Sequence, residues 1–278
     1  MNPVLQQPNE QKASEAFSLQ APIFDELYEN KTIIRYKRDR VRKHFFSFLP
    51  SSGSILELNC GTGNDAIFFA NKGYCVHATD VAFGMQKMLA IKQEVLKLSN
   101  LTFEKCSFDH LENLNNRGPY DAIFSNFAGL NCTSNVDKVL GSLEELVKPG
   151  GIITMVLMPR FSFWESLLLL RGKFRTATRR FLGPKVDNAK VEGNYFTCTY
   201  YSPGYITRKI PKSFHLMSLE GLCTFVPPPS IEQFPEKHPY LYRLLVKIES
   251  RLALAWPWRS IGDYYIITFK KATPRQLD

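Results

Sequence analysis

The sequence predicts an α/β protein built on a doubly wound, mostly parallel β-sheet. Between Ser54 and Met158, short apolar runs alternate with amphipathic helical patterns, and the segments that join them are short. Parallel strands require such helical crossovers, and right-handed crossovers place helices on both faces of a sheet. The 278 residues are enough for one large domain that carries an insertion.

Each element follows from its local pattern. Helical spacing of apolar residues between Ser14 and Leu49, broken at "ENK", predicts two N-terminal helices. The alternating series then runs through "SILEL", "GNDAIFFANKG", "YCVHATD", "FGMQKMLAIKQEVLKL", "LTFEKCSF", "YDAIFSNF", "VDKVLGSLEELVKPGG" and "IITMVLM". After Met158 the alternation stops. "GNYFTCTYYS", "HLMSLEGLCTFV" and "GDYYIITFKK" predict further strands, and "PGYITRKIPKSF" and "YLYRLLVKIESRLALAW" predict helices.

The net charge of +9 is concentrated in one segment. Between Met158 and Leu216 there are eleven Lys and Arg residues against three acids, a local excess of +8 that is interleaved with aromatic residues. This pattern favours a cap over a partly apolar, anionic acceptor rather than a nucleic-acid groove. A solvated basic face is the alternative, and the sequence leaves open whether the segment meets substrate, a membrane surface or solvent.

Several classes of protein are disfavoured. No apolar run approaches the roughly 20 residues of a membrane helix, and the N-terminus lacks the pattern of a secretory signal, so we expect a cytoplasmic protein. The six cysteines and five histidines are dispersed without metal-ligand spacing, which predicts no metal site. Residues 1–10 are expected to form a disordered tail.

The loop after the first strand carries the chemistry. In "ELNCGTG" the carboxylate of Glu57 ends the strand, and Gly61 and Gly63 allow the backbone to approach a ligand closely. The next strand ends in Asp80, which can accept hydrogen bonds from ribose hydroxyls. Dinucleotide enzymes share this geometry, but Glu57 and Asp65 would repel a pyrophosphate and suit an ammonium or sulfonium cation.

Four segments together resemble one family. "ILELNCGTG", "VHATD", "YDAIFSNF" and "LVKPGGIITM", in this order, are similar to the motifs of class I S-adenosylmethionine-dependent methyltransferases. The resemblance covers roughly residues 15–158, and "GDYYIITFKK" resembles the closing antiparallel strand. It implies a Rossmann-like, seven-stranded sheet, with the cap inserted after the fifth strand. It also implies S-adenosyl-L-methionine as cofactor and S-adenosyl-L-homocysteine as product.

The resemblance also implies which residues bind the cofactor. Asn59 stands where the family has its first glycine, which Asn tolerates because it visits positive φ. Ser107 stands where an Asp often contacts the adenine amine, so recognition there is in question. Phe108 and Asn126 have plain structural roles as alternatives. The implied set is Glu57, Asn59, Cys60, Gly61, Gly63, Asp80, Val81, Met85, Ser107, Phe108, Asn126 and Phe127.

The sequence names no catalytic base. Asn126, His215 and Tyr28 are candidates by residue type alone, as are His110 and His238, and packing or surface roles are the alternative for the histidines. Phe17, Phe24 and Tyr28 are expected either to cover the cofactor or to form a core stripe. The candidate substrate residues are Tyr28, Trp164, Arg179, Arg180, Tyr200 and Tyr201.

These observations favour a methyltransferase that acts on a small-molecule acceptor by O- or N-methylation. An RNA or protein methyltransferase that uses the basic segment 159–212, and a nucleoside-binding partner protein that transfers nothing, are the alternatives. The expected organisation is listed by residue range: helices and cofactor-binding core at 11–158, cap at 159–205 and 226–258, further core elements at 206–225 and 259–271, and a tail at 272–278.

Overall fold

The computed structural model of the protein describes residues 9–167, 172, 174, 180 and 185–273, except the side chains of residues 185–188. Its strands, in chain order, are β1 (Ser54–Leu58), β2 (Cys75–Asp80), β3 (Leu101–Lys105), β4 (Tyr120–Ser125), β5 (Val147–Leu157), β6 (Lys185–Val191), β7 (Asn194–Thr199), β8 (Phe214–Leu222) and β9 (Tyr264–Lys271).

Nine α-helices lie within the described residues. They are α1 (Asn9–Tyr28), α2 (Thr32–Phe46), α3 (Asn64–Asn71), α4 (Phe83–Leu96), α5 (Val136–Leu146), α6 (Phe163–Leu167), α7 (Pro203–Lys209), α8 (Phe234–Lys237) and α9 (Pro239–Leu252). No helix in this part of the chain is long and apolar enough to cross a membrane.

Seven strands form one sheet in the order β3-β2-β1-β4-β5-β9-β8. The first five are parallel, and β9 pairs antiparallel with both β5 and β8. The order reverses between β1 and β4, which creates the switch point at which ligands bind in open α/β sheets. The predicted doubly wound, mostly parallel seven-stranded sheet is therefore confirmed.

Apolar side chains cover both faces of the sheet, as buried parallel strands require. On one face the rings of Phe45, Phe69 and Phe124 lie 4.6 to 5.2 Å apart between α2, α3 and β4. On the other face, Leu140 and Leu143 of α5 are fully buried against the strands. The two layers hold β1 and β4 rigid, and the strand ends that meet at the switch point are fixed with them.

Some elements begin or end elsewhere than predicted. The strand expected to run through "LTFEKCSF" ends at Lys105, because Ser107 instead caps a 3₁₀ turn by accepting a hydrogen bond from Asp109 N at 3.0 Å. The N-terminal tail expected over residues 1–10 is also too long. Asn9 begins α1, and its side chain bonds to Cys132 O and to both backbone polar groups of Thr197.

The segments predicted as a cap divide into two separate parts. β6 and β7 form a hairpin that packs on α1, with Phe17 and Phe196 ring centroids 5.5 Å apart. The range 226–258, predicted as part of the same cap, lies elsewhere because α9 packs on α2 through Tyr242 and Val246.

The attachment of α9 depends on one buried carboxylate. Glu249 is fully buried, accepts hydrogen bonds from the backbone N–H groups of Cys223, Phe225 and Val226 at 2.8 to 2.9 Å, and bonds to Tyr36 Oη at 3.0 Å. The carboxylate thus satisfies three backbone donors that the turn after β8 leaves free. Without it, these donors would be buried and unpaired.

We predict that Glu249→Ala lowers the free energy of unfolding by about 3 kcal/mol or more, because each abandoned buried N–H costs on the order of 1 kcal/mol or more. Urea denaturation measures the loss. Glu249→Gln, which keeps one acceptor oxygen, should lose clearly less. A loss of less than about 1 kcal/mol for Glu249→Ala would contradict this role, because it would show that the three N–H groups do not depend on the carboxylate.

Candidate functional site

A pocket of about 920 Å³ lies at the carboxyl ends of β1, β2 and β4. The loop after β1 forms its floor, and α1 covers it. The walls include Val81, Met85 and Phe108 on one side and Asn126 and Phe127 on the other. Its mixture of apolar walls with a few polar groups is typical of a small-molecule site.

The loop after β1 follows a path that few residues can adopt. Asn59, Gly61 and Gly63 have φ angles of 49°, 57° and 81°, in the left-handed region. A side chain on Gly63 would meet Leu89 Cδ1 at 2.2 Å, whereas one on Gly61 would have only Met85 Sδ as a neighbour, at 4.0 Å. Gly63 is therefore needed for packing against α4, and Gly61 keeps the pocket floor open.

Asn59 joins this loop to the end of β4. Its Nδ2 donates to Asn126 O at 2.9 Å, and its Oδ1 accepts from Ser125 Oγ at 2.6 Å. Gly129 leaves room for the Asn59 side chain, because a Cβ there would lie 2.3 Å from Asn59 Cγ. The two strand ends that border the pocket are thus held together by one amide.

Asp80 also supports the loop. Its two carboxylate oxygens accept hydrogen bonds from Gly61 N and Ala82 N, each at 2.8 Å. Burial raises the pKa of this carboxyl, and the backbone hydrogen bonds oppose that shift. Each oxygen keeps acceptor capacity for a ligand hydroxyl. The sequence alone showed a carboxylate facing the cleft, but not that it also positions the glycine loop.

Glu57 is the strongest electrostatic feature of the pocket. Its side chain is 2% exposed, and Oε2 has no hydrogen-bond partner. Burial, followed by the nearby charge of Asp65, raises the pKa of the Glu57 carboxyl well above its usual range, although Arg42 and Arg38 oppose this. A nearby cation lowers the pKa of such a carboxyl again, so that the carboxyl becomes charged when a cationic ligand binds beside it.

Two further buried polar atoms in the pocket wall have no partner. They are Nε of Arg38, on α2, and Oε1 of Glu10, on α1. Buried polar groups are almost always hydrogen-bonded in native proteins. Unpaired atoms of both charge signs that line one cavity therefore indicate a ligand with both donor and acceptor groups.

The backbone at the end of β4 is strained beside the pocket. Phe127 and Ala128 have successive φ angles of 49° and 61°, which cost energy for residues other than glycine. Asn126 supports this turn, since Oδ1 accepts from Phe127 N at 2.7 Å and Nδ2 donates to Asp65 Oδ2 at 2.8 Å. Such strain is common where a binding surface must be shaped.

Two cations flank the Phe127 ring. The Lys37 ammonium and the Arg38 guanidinium each lie 5.3 Å from the ring centroid, and Lys37 Nζ is also 3.4 Å from the centroid of Tyr264. Lys37 is 1% exposed, and burial lowers the pKa of its amine. The sequence analysis missed both residues. Their signal was the run of basic residues in the helix "TIIRYKRDRVRKHFF", of which the sequence analysis used only the apolar spacing.

Helix α1 is fastened over the pocket. Asp25 accepts hydrogen bonds from Thr62 Oγ1 at 2.6 Å and Asn64 Nδ2 at 2.9 Å, and it forms an ion pair with Lys92 at 2.6 Å. Ser14 Oγ donates to Val81 O at 3.1 Å. Between these attachments, α1 contains Pro22, whose missing N–H leaves Ser18 O without its usual helical donor.

The structure brings most of the predicted cofactor residues together. Ten of the twelve line the pocket: Glu57, Asn59, Cys60, Gly61, Asp80, Val81, Met85, Phe108, Asn126 and Phe127. Gly63 packs on α4 behind the floor, and Ser107 caps its turn. Phe17 and Phe24 of α1 also line the pocket, whereas Tyr28 packs on Phe24 at 4.8 Å outside it.

Those predicted substrate residues of the cap that the structure describes do not reach this pocket. Arg180 is buried and paired with Glu165 at 2.9 Å and Asp263 at 2.8 Å, so it supports the fold. Tyr201 is buried and donates to Thr133 O, and Tyr200 packs against Arg180. Arg179 lies outside the described residues. Within the described parts of 159–205 and 226–258, no residue lines the pocket, and Trp164 is among those elsewhere.

The histidine candidates lie on the surface. His110, His215 and His238 are exposed and line no part of the pocket. Asn126 is therefore the one catalytic candidate from the sequence that the described structure places in the pocket wall.

Comparison with known proteins agrees with this geometry. Residues 55–151 match the family model described as "Methyltransferase domain". YqeM of Bacillus subtilis (strain 168), which is named a methyltransferase only provisionally, is 28% identical over 152 residues. That match covers 52% of this chain and 56% of YqeM, so the chain spans about half the length of this curated relative.

Two solved structures share the fold along nearly the whole chain. Burkholderia thailandensis 1,6-didemethyltoxoflavin-N1-methyltransferase, solved with 1,6-didemethyltoxoflavin and S-adenosylhomocysteine, has a TM-score of 0.56 at 13% identity, covering 98% of this chain and 93% of that one. The [4+2]-cyclase SpnF has a TM-score of 0.63 at 15% identity, with 96% and 98% covered. At these identities the likeness is one of fold.

The matched segment and the strand order agree with each other. Residues 55–151 match a methyltransferase domain, and the sheet that contains them has the Rossmann-like fold of the S-adenosylmethionine-dependent methyltransferases that its sequence motifs resemble.

We predict that Gly129→Ala lowers the free energy of unfolding by about 2 kcal/mol, because the new Cβ displaces the Asn59 amide and breaks its two hydrogen bonds. Thermal and urea unfolding measure the change. Gly141→Ala is the matched control: Gly141 lies at an exposed position of α5, its Cβ would meet nothing within 4 Å, and the change should stabilise by up to about 1 kcal/mol. If Gly129→Ala left the free energy of unfolding unchanged, the result would contradict the proposed role of the Asn59 amide in joining the two strand ends.

Proposed function

We propose that this protein transfers a methyl group from S-adenosyl-L-methionine to a small, partly apolar and anionic acceptor. The observation that carries the proposal is the set of unpaired buried atoms in the pocket, Glu57 Oε2 and Arg38 Nε above all. An acidic and a basic group without partners suit a ligand that bears both an ammonium and a carboxylate, as the methionine part of the cofactor does.

The pocket residues fit the rest of that cofactor. Asp80 retains acceptor capacity for ribose hydroxyls, and Val81, Met85 and Phe108 offer an apolar slot for a planar base. Glu57 and Asp65 lie where a dinucleotide would need to place a pyrophosphate, which they would repel. The same arrangement therefore disfavours NAD.

The cofactor supplies an electrophilic methyl group on a sulfonium, and the reaction is an in-line displacement. The chain's own task is to align the acceptor and to exclude water. Asn126 and Phe127 form a rigid wall at the end of β4, and α1 lies across the pocket and reduces its contact with solvent. Arg38 places positive charge beside the Phe127 ring, which favours an acceptor in its anionic, nucleophilic form.

The covered pocket favours a small acceptor over a polymer. Asp25 and Ser14 fasten α1 across the cleft, so an RNA or protein chain could reach the floor only after this helix is displaced. In the basic segment 159–212, Arg180 is buried and paired with Asp263 at 2.8 Å, so it is not free to bind a polymer.

We predict that S-adenosylhomocysteine and S-adenosylmethionine bind with micromolar-range affinity. A ligand of the native state at 100 times its dissociation constant should raise the free energy of unfolding by about 2.7 kcal/mol. Isothermal titration calorimetry and thermal unfolding, with NAD as the control ligand, measure this. Heat from NAD but from neither adenosyl compound would overturn the assignment. Tritiated S-adenosylmethionine with fractionated small-molecule extracts then separates a transferase from a protein that binds without transfer.

We also predict that cofactor affinity rises with pH, from the usual range of a carboxyl up to the raised pKa of Glu57, by up to about tenfold per pH unit. The pKa of Glu57 lies well above its usual range in the free protein, because of burial. An ammonium ion beside it favours the charged form, so binding releases a proton. Calorimetry in buffers of different ionisation enthalpy detects that proton.

Glu57→Gln is the control for this pH dependence. It should bind more weakly and release no proton at this position, so its affinity should vary little with pH over the same range. Parallel pH profiles for the wild-type protein and the variant would show that another group titrates on binding.

A further inference from the structure

We propose that α9 and the turn that follows it form a docking surface for an anionic lipid bilayer. This α9 surface consists of exposed apolar and basic residues. The apolar members are Tyr240, Leu241, Leu244, Leu254 and Trp256, and the basic members are Arg243, Lys247, Arg251 and Arg259. The inference does not depend on the proposed methyl transfer.

The orientation of α9 is fixed, so the exposure of its outer face is a property of the fold. Tyr242, Val246 and Glu249 point inward, toward α2 and the turn after β8. Ala253 continues this inner face, since Gly221 N donates to Ala253 O at 2.8 Å. Because these residues occupy the inner face of α9, helical periodicity places four others on its outer face: Tyr240, Leu244, Lys247 and Arg251.

Several large apolar side chains are exposed together on the α9 surface, whereas single exposed apolar residues are common on any protein surface. Tyr240 is 82% exposed, Trp256 78%, Leu254 59% and Leu244 52%. Tyr240 stands at the N-terminal end of α9 and Trp256 just beyond its C-terminal end. Aromatic residues with one polar atom are typical of the boundary between lipid and water, where the ring enters the acyl region and the polar atom stays hydrated.

The charges favour an anionic partner. From Pro239 to Ser260 the chain carries four basic residues and one acid, and the acid is the buried Glu249. All four basic residues are exposed. Just before this stretch, Glu236 and Lys237 offset one another. A helix that presents basic and apolar side chains together on one surface is typical of peripheral attachment to anionic lipid.

A second copy of the chain fits this surface poorly. A symmetric dimer would bring the same four positive charges of each copy against one another, and the repulsion would act across a low-dielectric contact. A bilayer with anionic headgroups supplies the opposite charge and an apolar layer at the same time. It therefore satisfies both components of the surface.

Neighbouring elements extend the surface. Trp258 packs edge-on against Phe163 of α6 at 6.2 Å and against Phe225 at 4.8 Å. Phe163 N also donates to Ile261 O at 2.8 Å. These contacts hold the turn after α9 rigid, so that Trp256 is presented by a structured backbone.

The experiment is co-sedimentation of the full chain with vesicles of phosphatidylcholine that contain about one third phosphatidylglycerol. We expect binding to these vesicles, little binding to pure phosphatidylcholine, and loss of most binding at high salt. Lys247→Gln with Arg251→Gln should weaken binding on the order of 30-fold, because each basic residue near the surface contributes a roughly fivefold effect. Leu244→Glu should abolish binding.

Val95→Glu is the matched control, since Val95 is 74% exposed on α4 and lies outside the α9 surface. It should bind vesicles as the wild-type chain does. Absence of wild-type binding would overturn the proposal, and so would Leu244→Glu binding that equals that of Val95→Glu. A dimer in size-exclusion chromatography that Leu244→Glu dissociates would assign the surface to a second copy instead.

Circular dichroism of each variant checks that it is folded before sedimentation. Cofactor titration of the same variants separates this inference from the proposed function. Leu244→Glu should bind S-adenosylhomocysteine as the wild-type chain does, because α9 lines no described part of the pocket. Vesicle binding without cofactor binding would support this inference and contradict the other.

Discussion

The pocket depends on one amide. The Asn59 side chain joins the loop after β1 to the end of β4, through Asn126 O and Ser125 Oγ. Its backbone takes a left-handed conformation that starts the turn toward Gly61. Every group at the floor of the pocket is placed relative to this connection. The Asp80 carboxylate holds the loop on one side, and Asn126 holds the strained turn at Phe127 on the other.

Around this connection, some charged atoms of the site have hydrogen-bond partners and others have none. Asp65 is satisfied by Arg42 and Asn126, at 2.7 and 2.8 Å. Glu57 and Arg38, by contrast, each keep one buried atom without a partner. Leaving such groups unpaired costs stability, which proteins tolerate mainly where a ligand will supply the missing contacts. The pattern separates the atoms that we propose to face the ligand from those that support the fold.

The sequence predicted the sheet and the floor of the pocket well, because both depend on local patterns. The strand-helix alternation and the glycine loop are written in consecutive residues, and the fold was confirmed. The hydrogen bonds from Gly61 N and Ala82 N to Asp80 could be found only in the structure, because every residue type except proline has the same backbone N–H donor. Lys37 and Arg38 were missed for a related reason: only the packing of α2 shows that they flank Phe127.

The predicted cap shows where charge counting fails. An excess of basic residues in a segment does not show whether each of them faces a ligand. Arg180, for example, forms buried ion pairs with Glu165 and Asp263 inside the fold. Conversely, α9 carries few charges, but its one acid is buried, so its exposed side is uniformly basic. Sequence composition gives the charge of a segment, and only burial gives the charge of a surface.

The position of Pro22 in α1 has a kinetic meaning. The proline leaves Ser18 O without its usual helical donor, so the backbone of α1 is weakest at this point. The half before Pro22 is attached by the side chains of Asn9, Ser14 and Phe17, and the half after it by Asp25. Because the two halves have separate attachments, either can open while the other stays in place, and a bound molecule can then be exchanged at the cost of local rather than global unfolding.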